Sequence, residues 1–237
     1  MEKTRGNNFK AGLLDGTPIG LGYLSVSIAF GVQAVVSGIP VFIAVLISAT
    51  NLTSAGQLAG IEVIARSGTL LEIVLTQLVI NARYFLMSMT LSQKFDDDFP
   101  VRDRLLAAAG VTDEVFVVSV TGRPTVKRSY FFGLLLFPYV FWVAGTLIGG
   151  LVGLVLPEKI RFSLGIALYA MFIAIIVPPS KRERGILFTV LLSAAISCLF
   201  YYLPFFSQHV SSSIAVIVAS ITATAVISWL FPIKEAQ

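Results

Sequence analysis

The chain has 237 residues, of which 56% are apolar and only 13% are charged. A soluble domain has about a quarter charged residues, so this composition excludes a water-facing surface of ordinary polarity. The charges lie in short clusters separated by long apolar stretches, which predicts an all-α polytopic membrane protein. We expect a single transmembrane transport domain over residues 1–237, with no cofactor, no metal and no nucleic-acid partner.

Eight apolar stretches predict about eight transmembrane helices. Each approaches the roughly 20 helical residues that are needed to cross a bilayer core. The fourth stretch has Asp113 and Glu114 near its middle, so whether it crosses determines the topology. In chain order the predicted spans are 17–37, 40–65, 68–93, 104–121, 129–156, 162–178, 185–204 and 212–231.

The distribution of basic residues distinguishes the two topologies, because cytoplasmic loops are enriched in Lys and Arg. With eight crossings and a cytoplasmic N-terminus, eleven of the seventeen Lys and Arg residues lie inside and five outside. If the fourth stretch did not cross, six basic residues between Lys94 and Arg128 would share one outer loop. The sequence therefore predicts eight spans with both termini in the cytoplasm.

The second and third predicted spans have polar centres. Residues 48–57 read SATNLTSAGQ, and residues 81–83 read Asn-Ala-Arg. One interpretation is a discontinuous helix, since unwound backbone is tolerated at membrane depth where it faces protein or a water-filled cavity. The alternative is an intact helix whose Ser, Thr and Gln side chains bond to neighbouring helices. Both alternatives stay open for both spans.

Two rows of glycine at four-residue spacing predict close helix packing. One row lies in the first span, at Gly12, Gly16 and Gly20, and the other in the fifth span, at Gly145, Gly149 and Gly153. Small residues at this spacing let two helix backbones approach closely in lipid.

Three charged residues lie near the middle of predicted spans: Arg83, Asp113 and Glu114. A charge at the bilayer centre costs about 2.5–3.5 kcal/mol on insertion scales, so a retained one needs a partner or a function. All three lie about 15 Å deep at 1.5 Å per helical residue. The candidate substrate-binding residues of this layer are Arg83, Asn81, Asp113, Glu114, Gln57, Ser54 and Asn51.

One interpretation of these charges is a purely structural ion pair between Arg83 and one of the acids. A single Arg facing two carboxylates nevertheless leaves one acid over. That acid is protonated, solvated in a cavity, or paired with a cationic substrate group. We therefore predict that Glu114 and Asp113 also couple transport to proton movement.

An intramembrane enzyme is excluded as the leading interpretation. The chain has one His and one Cys, and it has no pattern of nucleophile and base or of metal ligands that converge on one site. A secondary transporter fits a mid-membrane Arg with two acids, and a transporter or channel for another small organic solute is the alternative.

The segments that carry these residues also resemble a known family. They are GLLDGTPIGLGYLSVSIAFG (12–31), SAGQ (54–57), NARYFLMS (81–88) and TDEVF (112–116). This ordered set is similar to the AzlC family of bacterial branched-chain amino acid exporters, over about residues 11–205. Tyr84 stands where a His often follows the Asn-Ala-Arg of that family.

The resemblance implies a multi-pass protein of the bacterial cytoplasmic (inner) membrane that exports leucine, isoleucine, valine and analogues, and sometimes methionine. It also implies a small four-helix partner subunit of the AzlD type. For such a zwitterion we expect Arg83 to bind the carboxylate and Asp113 or Glu114 to bind the ammonium. The predicted lining for the apolar side chain is Phe30, Phe85, Met87 and Phe116. Proton antiport and uniport are both compatible with this site.

Overall fold

The computed structural model describes residues 6–157, 159, 173, 176–210 and 212–231. The elements within these residues are all helices, which confirms the all-α prediction. The predicted span 162–178 lies almost entirely outside the described residues. In chain order the helices are α1 (Phe9–Val36), α2 (Val41–Thr50), α3 (Ser54–Ala65), α4 (Leu70–Lys94), α5 (Val101–Ala109), α6 (Asp113–Val120), α7 (Arg128–Val155), α8 (Arg184–Tyr202), α9 (Pro204–His209) and α10 (Ser212–Leu230).

Four of these helices, α1, α4, α7 and α8, are long and apolar enough to cross a membrane. Two shorter apolar helices also occur in the described part, at Val41–Thr50 and Ile214–Leu230. Apolar side chains are exposed along α4, α7 and α8, as expected for surfaces that lipid covers. The membrane prediction is therefore confirmed.

Helices α1 and α7 pack together as a parallel pair with touching backbones. A Cβ atom added at Gly16 would lie 2.3 Å from the carbonyl oxygen of Leu134. One added at Gly149 would lie 2.0 Å from the carbonyl oxygen of Ile28. Both glycine rows therefore make the predicted close contact. The residue numbers of the contacting positions rise together along the two helices, so α1 and α7 run in the same direction. We call the end of the molecule at which both helices begin the lower end, and the end at which both finish the upper end.

Helices α2 and α3 form a hairpin that enters from the upper end, which we call the upper hairpin. Its first residue, Val41, lies against Gly150 near the end of α7. Ile61, in the last part of α3, packs in one buried cluster with Phe30 and Ala34 from the end of α1. Both ends of this hairpin therefore lie at the upper end, and its tip at 51–53 points into the molecule.

Helix α4 crosses the molecule from the upper to the lower end, antiparallel to α1. Near its start, Glu72 forms an ion pair with Arg66 of the segment after α3. At its other end, the Lys94 carbonyl accepts a 2.7 Å hydrogen bond from the amide of Val126, which lies just before α7. The N-terminal segment is also there, since the Asn7 side chain donates to the Thr125 carbonyl at 3.0 Å.

Helices α5 and α6 form a second hairpin, the lower hairpin, which enters from the lower end. Asp103 at its start forms an ion pair with Arg128 at the start of α7. Arg123, just after α6, forms a 2.7 Å ion pair with Asp15 near the start of α1. The tip reaches the middle of α1, where the hydroxyl oxygens of Thr112 and Tyr23 are 2.6 Å apart.

The prediction that 40–65 and 104–121 each cross the membrane is therefore wrong. Each stretch has the length and apolar composition of a span, but it folds back on itself at its centre. The backbone groups at the breaks are bonded by side chains: Thr53 accepts from the amide of Gly56 at 3.2 Å, and Thr112 accepts from the amide of Val115 at 3.3 Å. Such backbone is tolerated at depth because it lies within protein.

Of the two alternatives, the discontinuous helix holds for the second stretch and the intact helix for the third. Helix α4 is unbroken through Asn81 and Arg83, because the Asn81 amide bonds to Gln77 one turn earlier and leaves the helical backbone intact. The second break instead lies at 110–112, a position that we predicted to be helical. Gly110 ends α5, and Thr112 caps α6.

Helices α8 and α10 form an antiparallel pair beside α4. The start of α8 meets the end of α10 through the stacked rings of Phe188 and Phe231, whose centroids are 5.5 Å apart. The first turns of α10 reach the upper end, where Val216 lines a cavity with Ser37 and Thr76. Helix α8 therefore begins at the lower end.

Basic residues are strongly concentrated at the lower end. Arg66 and Lys159 are the described basic residues at the upper end, and Arg83 is at mid-depth. The positive-inside rule therefore predicts that the lower end faces the cytoplasm, which agrees with the side predicted for the N-terminus. Residues 94–104, which eight full crossings would place outside, then also lie on the cytoplasmic side. The described basic residues at the lower end are Lys10, Lys94, Arg102, Arg104, Arg123, Lys127, Arg128, Lys181, Arg182 and Arg184.

Candidate functional site

The tips of the two hairpins place two helix N-termini in the interior of the molecule. Helix α3 begins after Thr53, and α6 begins after Thr112. A helix N-terminus has a partial positive charge from its free amide groups. The first turn of α6 contains Asp113 and Glu114, whereas the first turn of α3 contains no acid. The lower tip therefore holds its own anions, and the upper tip does not.

Arg83 of α4 forms the predicted ion pair with one acid of the lower tip. Its guanidinium lies 2.8 Å from the Asp113 carboxylate. A second guanidinium nitrogen donates to the Tyr84 hydroxyl at 3.1 Å. Both members of the pair are about half exposed, at 48% and 45% of their side-chain surfaces. The packed helices of the described residues therefore do not enclose the pair.

Glu114 has a different partner from its neighbour. The Tyr23 hydroxyl of α1 donates to the Glu114 carboxylate at 2.6 Å and lies equally close to the Thr112 hydroxyl. The Tyr23 ring meets Trp142 of α7 edge-on, with centroids 5.3 Å apart. Within the described residues Glu114 has no ion-pair partner, so it is the surplus acid that the sequence predicted.

Tyr23 and Trp142 were missed by the sequence analysis. Both lie near the middle of long apolar helices, where a buried hydroxyl or indole N–H group needs a hydrogen-bond partner. That position was the available signal. The Trp142 side chain is 1% exposed, and its indole nitrogen has no partner within the described part of the chain.

Gln57 organises the upper tip. Its side-chain nitrogen donates to the Asn51 carbonyl and to the Ser48 hydroxyl, and the Ser48 hydroxyl lies 2.7 Å from that of Thr146 on α7. The Asn51 side chain accepts from the amide of Thr53 at 3.1 Å, which closes the turn. Asn51 and Gln57 therefore hold the shape of the break.

The side-chain oxygen of Gln57, Oε1, is buried and has no hydrogen-bond partner among the described residues. A buried unsatisfied acceptor costs about 1–3 kcal/mol, so such a group is a candidate contact for a ligand or for water. Ser54 is the first residue of α3 and is partly buried beside this tip.

Asn81 connects α4 to the upper tip through Gln77, which the sequence analysis missed. The Asn81 amide donates to Gln77 at 2.9 Å, and the Gln77 amide donates to the Gly56 carbonyl at 2.7 Å. One helix, α4, therefore contacts both tips, with Asn81 toward the upper tip and Arg83 toward the lower tip. The structure thus divides the predicted residues into two groups.

The predicted apolar lining does not form one pocket. Phe30 is 1% exposed and packs with Ile61 in the upper cluster. Met87 and Phe116 pack against a separate cluster around Phe131, and Phe85 is 68% exposed. Depth alone predicted these residues, and depth does not specify which face of a helix points inward. No group of three or more potential metal ligands occurs in the part of the chain that the structure describes.

Comparison with known proteins gives one family match. The family described as AzlC protein matches residues 18–156, which is more than half of the chain and includes both hairpins. No solved structure matches the chain.

Three relatives illustrate the range of similarity. The chain is 32% identical to an uncharacterized membrane protein of Archaeoglobus fulgidus, over 74% of this chain and 78% of that protein. It is 26% identical to the inner membrane protein YgaZ of Escherichia coli, over 80% of each chain. It is 22% identical to the branched-chain amino acid transport protein AzlC of Bacillus subtilis, over 70% of this chain and 66% of that protein.

Proposed function

The chain belongs to the AzlC family, and we propose on that premise that it is a secondary transporter that exports branched-chain amino acids across the bacterial cytoplasmic membrane. The Bacillus subtilis relative is named as a branched-chain amino acid transport protein, and the Escherichia coli relative as an inner membrane protein. These names support the transport class and the location that we propose.

One observation carries the proposal: two helical hairpins enter from opposite ends, and α4 contacts both tips, through Gln77 at the upper tip and through the Arg83–Asp113 ion pair at the lower tip. Discontinuous helices of this kind build binding sites near the midplane of many secondary transporters. A site that two opposed hairpins approach can be opened to one side of the membrane while it is closed to the other.

The charges of the lower tip suit a zwitterionic substrate. The Arg83 guanidinium can bind a carboxylate through two parallel hydrogen bonds. Glu114, which has no cationic partner in the described structure, is the acid that we assign to the substrate's ammonium group. Substrate carboxylate and Asp113 then compete for Arg83, and this difference in contacts is what allows binding to shift the conformational equilibrium.

The energy coupling that we propose is proton antiport. A carboxylate that binds a proton when the substrate ammonium leaves would exchange one cation for the other, and Glu114 and Asp113 are the candidates. Uniport is the alternative, and a leucine-driven pH change in sealed proteoliposomes distinguishes the two. A small AzlD-type subunit is the partner that we propose for the assembled transporter.

The test is ligand-dependent thermal stabilisation of the purified protein. Leucine, isoleucine, valine and methionine are titrated against glycine, glutamate and lysine, for the wild type and for Arg83→Ala. A ligand that binds only the folded protein raises its melting temperature in proportion to occupancy. We expect the branched-chain amino acids to stabilise the wild type and to stabilise Arg83→Ala clearly less.

Arg102→Ala is the matched control, because Arg102 is 80% exposed at the lower end, far from the tips. It should keep the response of the wild type. Stabilisation by none of the amino acids, in a protein that is folded and assembled with its partner subunit, would refute the substrate class. Flux that rises linearly with solute concentration would favour the alternative, a channel for another small organic solute.

A further inference from the structure

A separate polar cavity opens at the upper end, away from the ion pair of Arg83. It has a volume of about 460 Å³, and it lies between the ends of α1 and α3, the first turns of α4 and the start of α10. Four helices therefore form its wall. The lining residues that matter here are Glu62, Arg66, Thr76, Ser37, Ile80 and Val216.

The charges of this cavity are unbalanced. Arg66 forms an ion pair with Glu72, which neutralises both. Glu62 lies one helical turn before Arg66 on the same face of α3, and it has no ion-pair partner in the described residues. Arg66 is therefore one cation beside two acids, Glu62 and Glu72, and this excess of negative charge favours a cationic group in the cavity.

A buried hydroxyl without a partner lies in the wall of the cavity. The Thr76 side chain is 2% exposed and lines the cavity, and its oxygen has no hydrogen-bond partner among the described residues. The opposite part of the lining is apolar, with Ile80 from α4 and Val216 from α10. An acid, a hydroxyl and an aliphatic wall in one cavity match an amino acid with an aliphatic side chain.

The cavity and the upper tip contact adjacent faces of α4. Thr76 and Ile80 line the cavity, whereas Gln77 donates to the Gly56 carbonyl of the upper tip and accepts from Asn81. Residues four apart on a helix are neighbours on one face. Asn81, Gln77 and Thr76 thus place polar groups of α4 between the level of Arg83 and that of this cavity.

We propose that this cavity is a second amino-acid site, an outer site, at which an aliphatic amino acid binds with its ammonium group on Glu62. This inference rests on the proposed function, since the ligand is the substrate of the central site. The order of the two sites along α4 makes the outer site the last one that an exported substrate occupies before release.

The test is the number of leucine molecules bound per chain, measured by saturation binding of radiolabelled leucine to the purified protein assembled with its partner subunit. We expect two for the wild type. Glu62→Gln should lose one of them, with affinity for the outer site falling at least tenfold, and should keep the other unchanged. Arg83→Ala should keep the Glu62-dependent molecule and lose the other.

Two variants control for folding and for charge. Glu62→Asp keeps the carboxylate and should retain part of the second binding event, whereas Glu183→Gln removes an exposed acid at the lower end and should change nothing. One leucine per wild-type chain, unaffected by Glu62→Gln, would overturn the outer site and leave the proposed function standing. No leucine bound to the wild type would overturn both.

Discussion

Asp113 and Glu114 are adjacent in sequence but bind different partner residues. Successive residues on a helix point about 100° apart, so Asp113 reaches Arg83 on α4 while Glu114 reaches Tyr23 on α1. The cost of burying charge predicted that Arg83 would pair with one of these acids. It could not say which one, because that depends on which faces of α6 the neighbouring helices occupy.

The two acids should therefore respond differently to neutralisation. Glu114→Gln should lower the affinity for leucine about tenfold or more, because a charge-assisted hydrogen bond to the ammonium is lost. It should leave the affinity for 4-methylpentanoate, which has no ammonium group, unchanged. Asp113→Asn should raise the affinity for 4-methylpentanoate, because Arg83 is released for its carboxylate. Thermal-shift titrations with both ligands measure these changes, and equal effects of the two substitutions would contradict the assignment.

At the scale of single elements, two glycines of one helix distinguish the effect of helix packing on stability from the effect of helix propensity. Gly16 and Gly22 lie in the same helix, α1. A Cβ atom at Gly16 would meet the Leu134 backbone, whereas one at Gly22 would find nothing within 4 Å. The rows at four-residue spacing predicted this packing face correctly, and the structure supplied its partner helix.

Gly16→Ala should destabilise the protein by about 1–3 kcal/mol, the usual cost of overpacking, because neither backbone can move aside. Gly22→Ala should be neutral or stabilising by up to about 1 kcal/mol, from the better helix propensity of Ala. Melting temperatures in detergent, with size-exclusion profiles of both variants, provide the comparison. A larger loss for Gly22→Ala would show that the α1–α7 contact is not as described.

At the scale of the whole molecule, the hairpins reverse the sides of two loops. Eight full crossings place the loop before α4 in the cytoplasm and residues 94–104 outside. With both hairpins folded back, the loop at Ser67 lies at the upper end and Asp97 at the lower end. The N-terminus stays on the same side in both arrangements.

Cysteine accessibility distinguishes the two arrangements. In a Cys198→Ser background, Ser67→Cys should react with a membrane-impermeant maleimide added to intact cells, and Asp97→Cys should react only after the cells are opened. Pro40→Cys lies outside in both arrangements and is the positive control. Labelling of Asp97→Cys but not of Ser67→Cys in intact cells would support eight crossings and refute the folded-back hairpins.

The sequence by itself determined the class of the molecule, the family and the ion pair between Arg83 and an acid at mid-depth, and it predicts that the N-terminus is cytoplasmic. These follow from residue composition, from the cost of charge in lipid and from local motifs. None of the three depends on whether an apolar stretch crosses the membrane or folds back as a hairpin. The two wrong predictions, that 40–65 and 104–121 each cross the membrane, also cancelled in their effect on the direction of α7. Since both the second and the fourth stretch fold back, α7 still runs parallel to α1, as it does with eight spans.

Only the tertiary structure decided that these two stretches are hairpins. Hydropathy measures how well residues suit an apolar environment, and a hairpin of two short helices satisfies it as well as one long helix does. The difference lies at the breaks, 51–53 and 110–112, where side chains from the same tip and from α1 satisfy the freed backbone and hydroxyl groups. The caps within each tip are local in sequence, but Tyr23 is 89 residues from Thr112. The packing of distant helices around each tip is therefore a property of the tertiary fold, and the placement of Glu114, Tyr23 and the outer cavity follows from it.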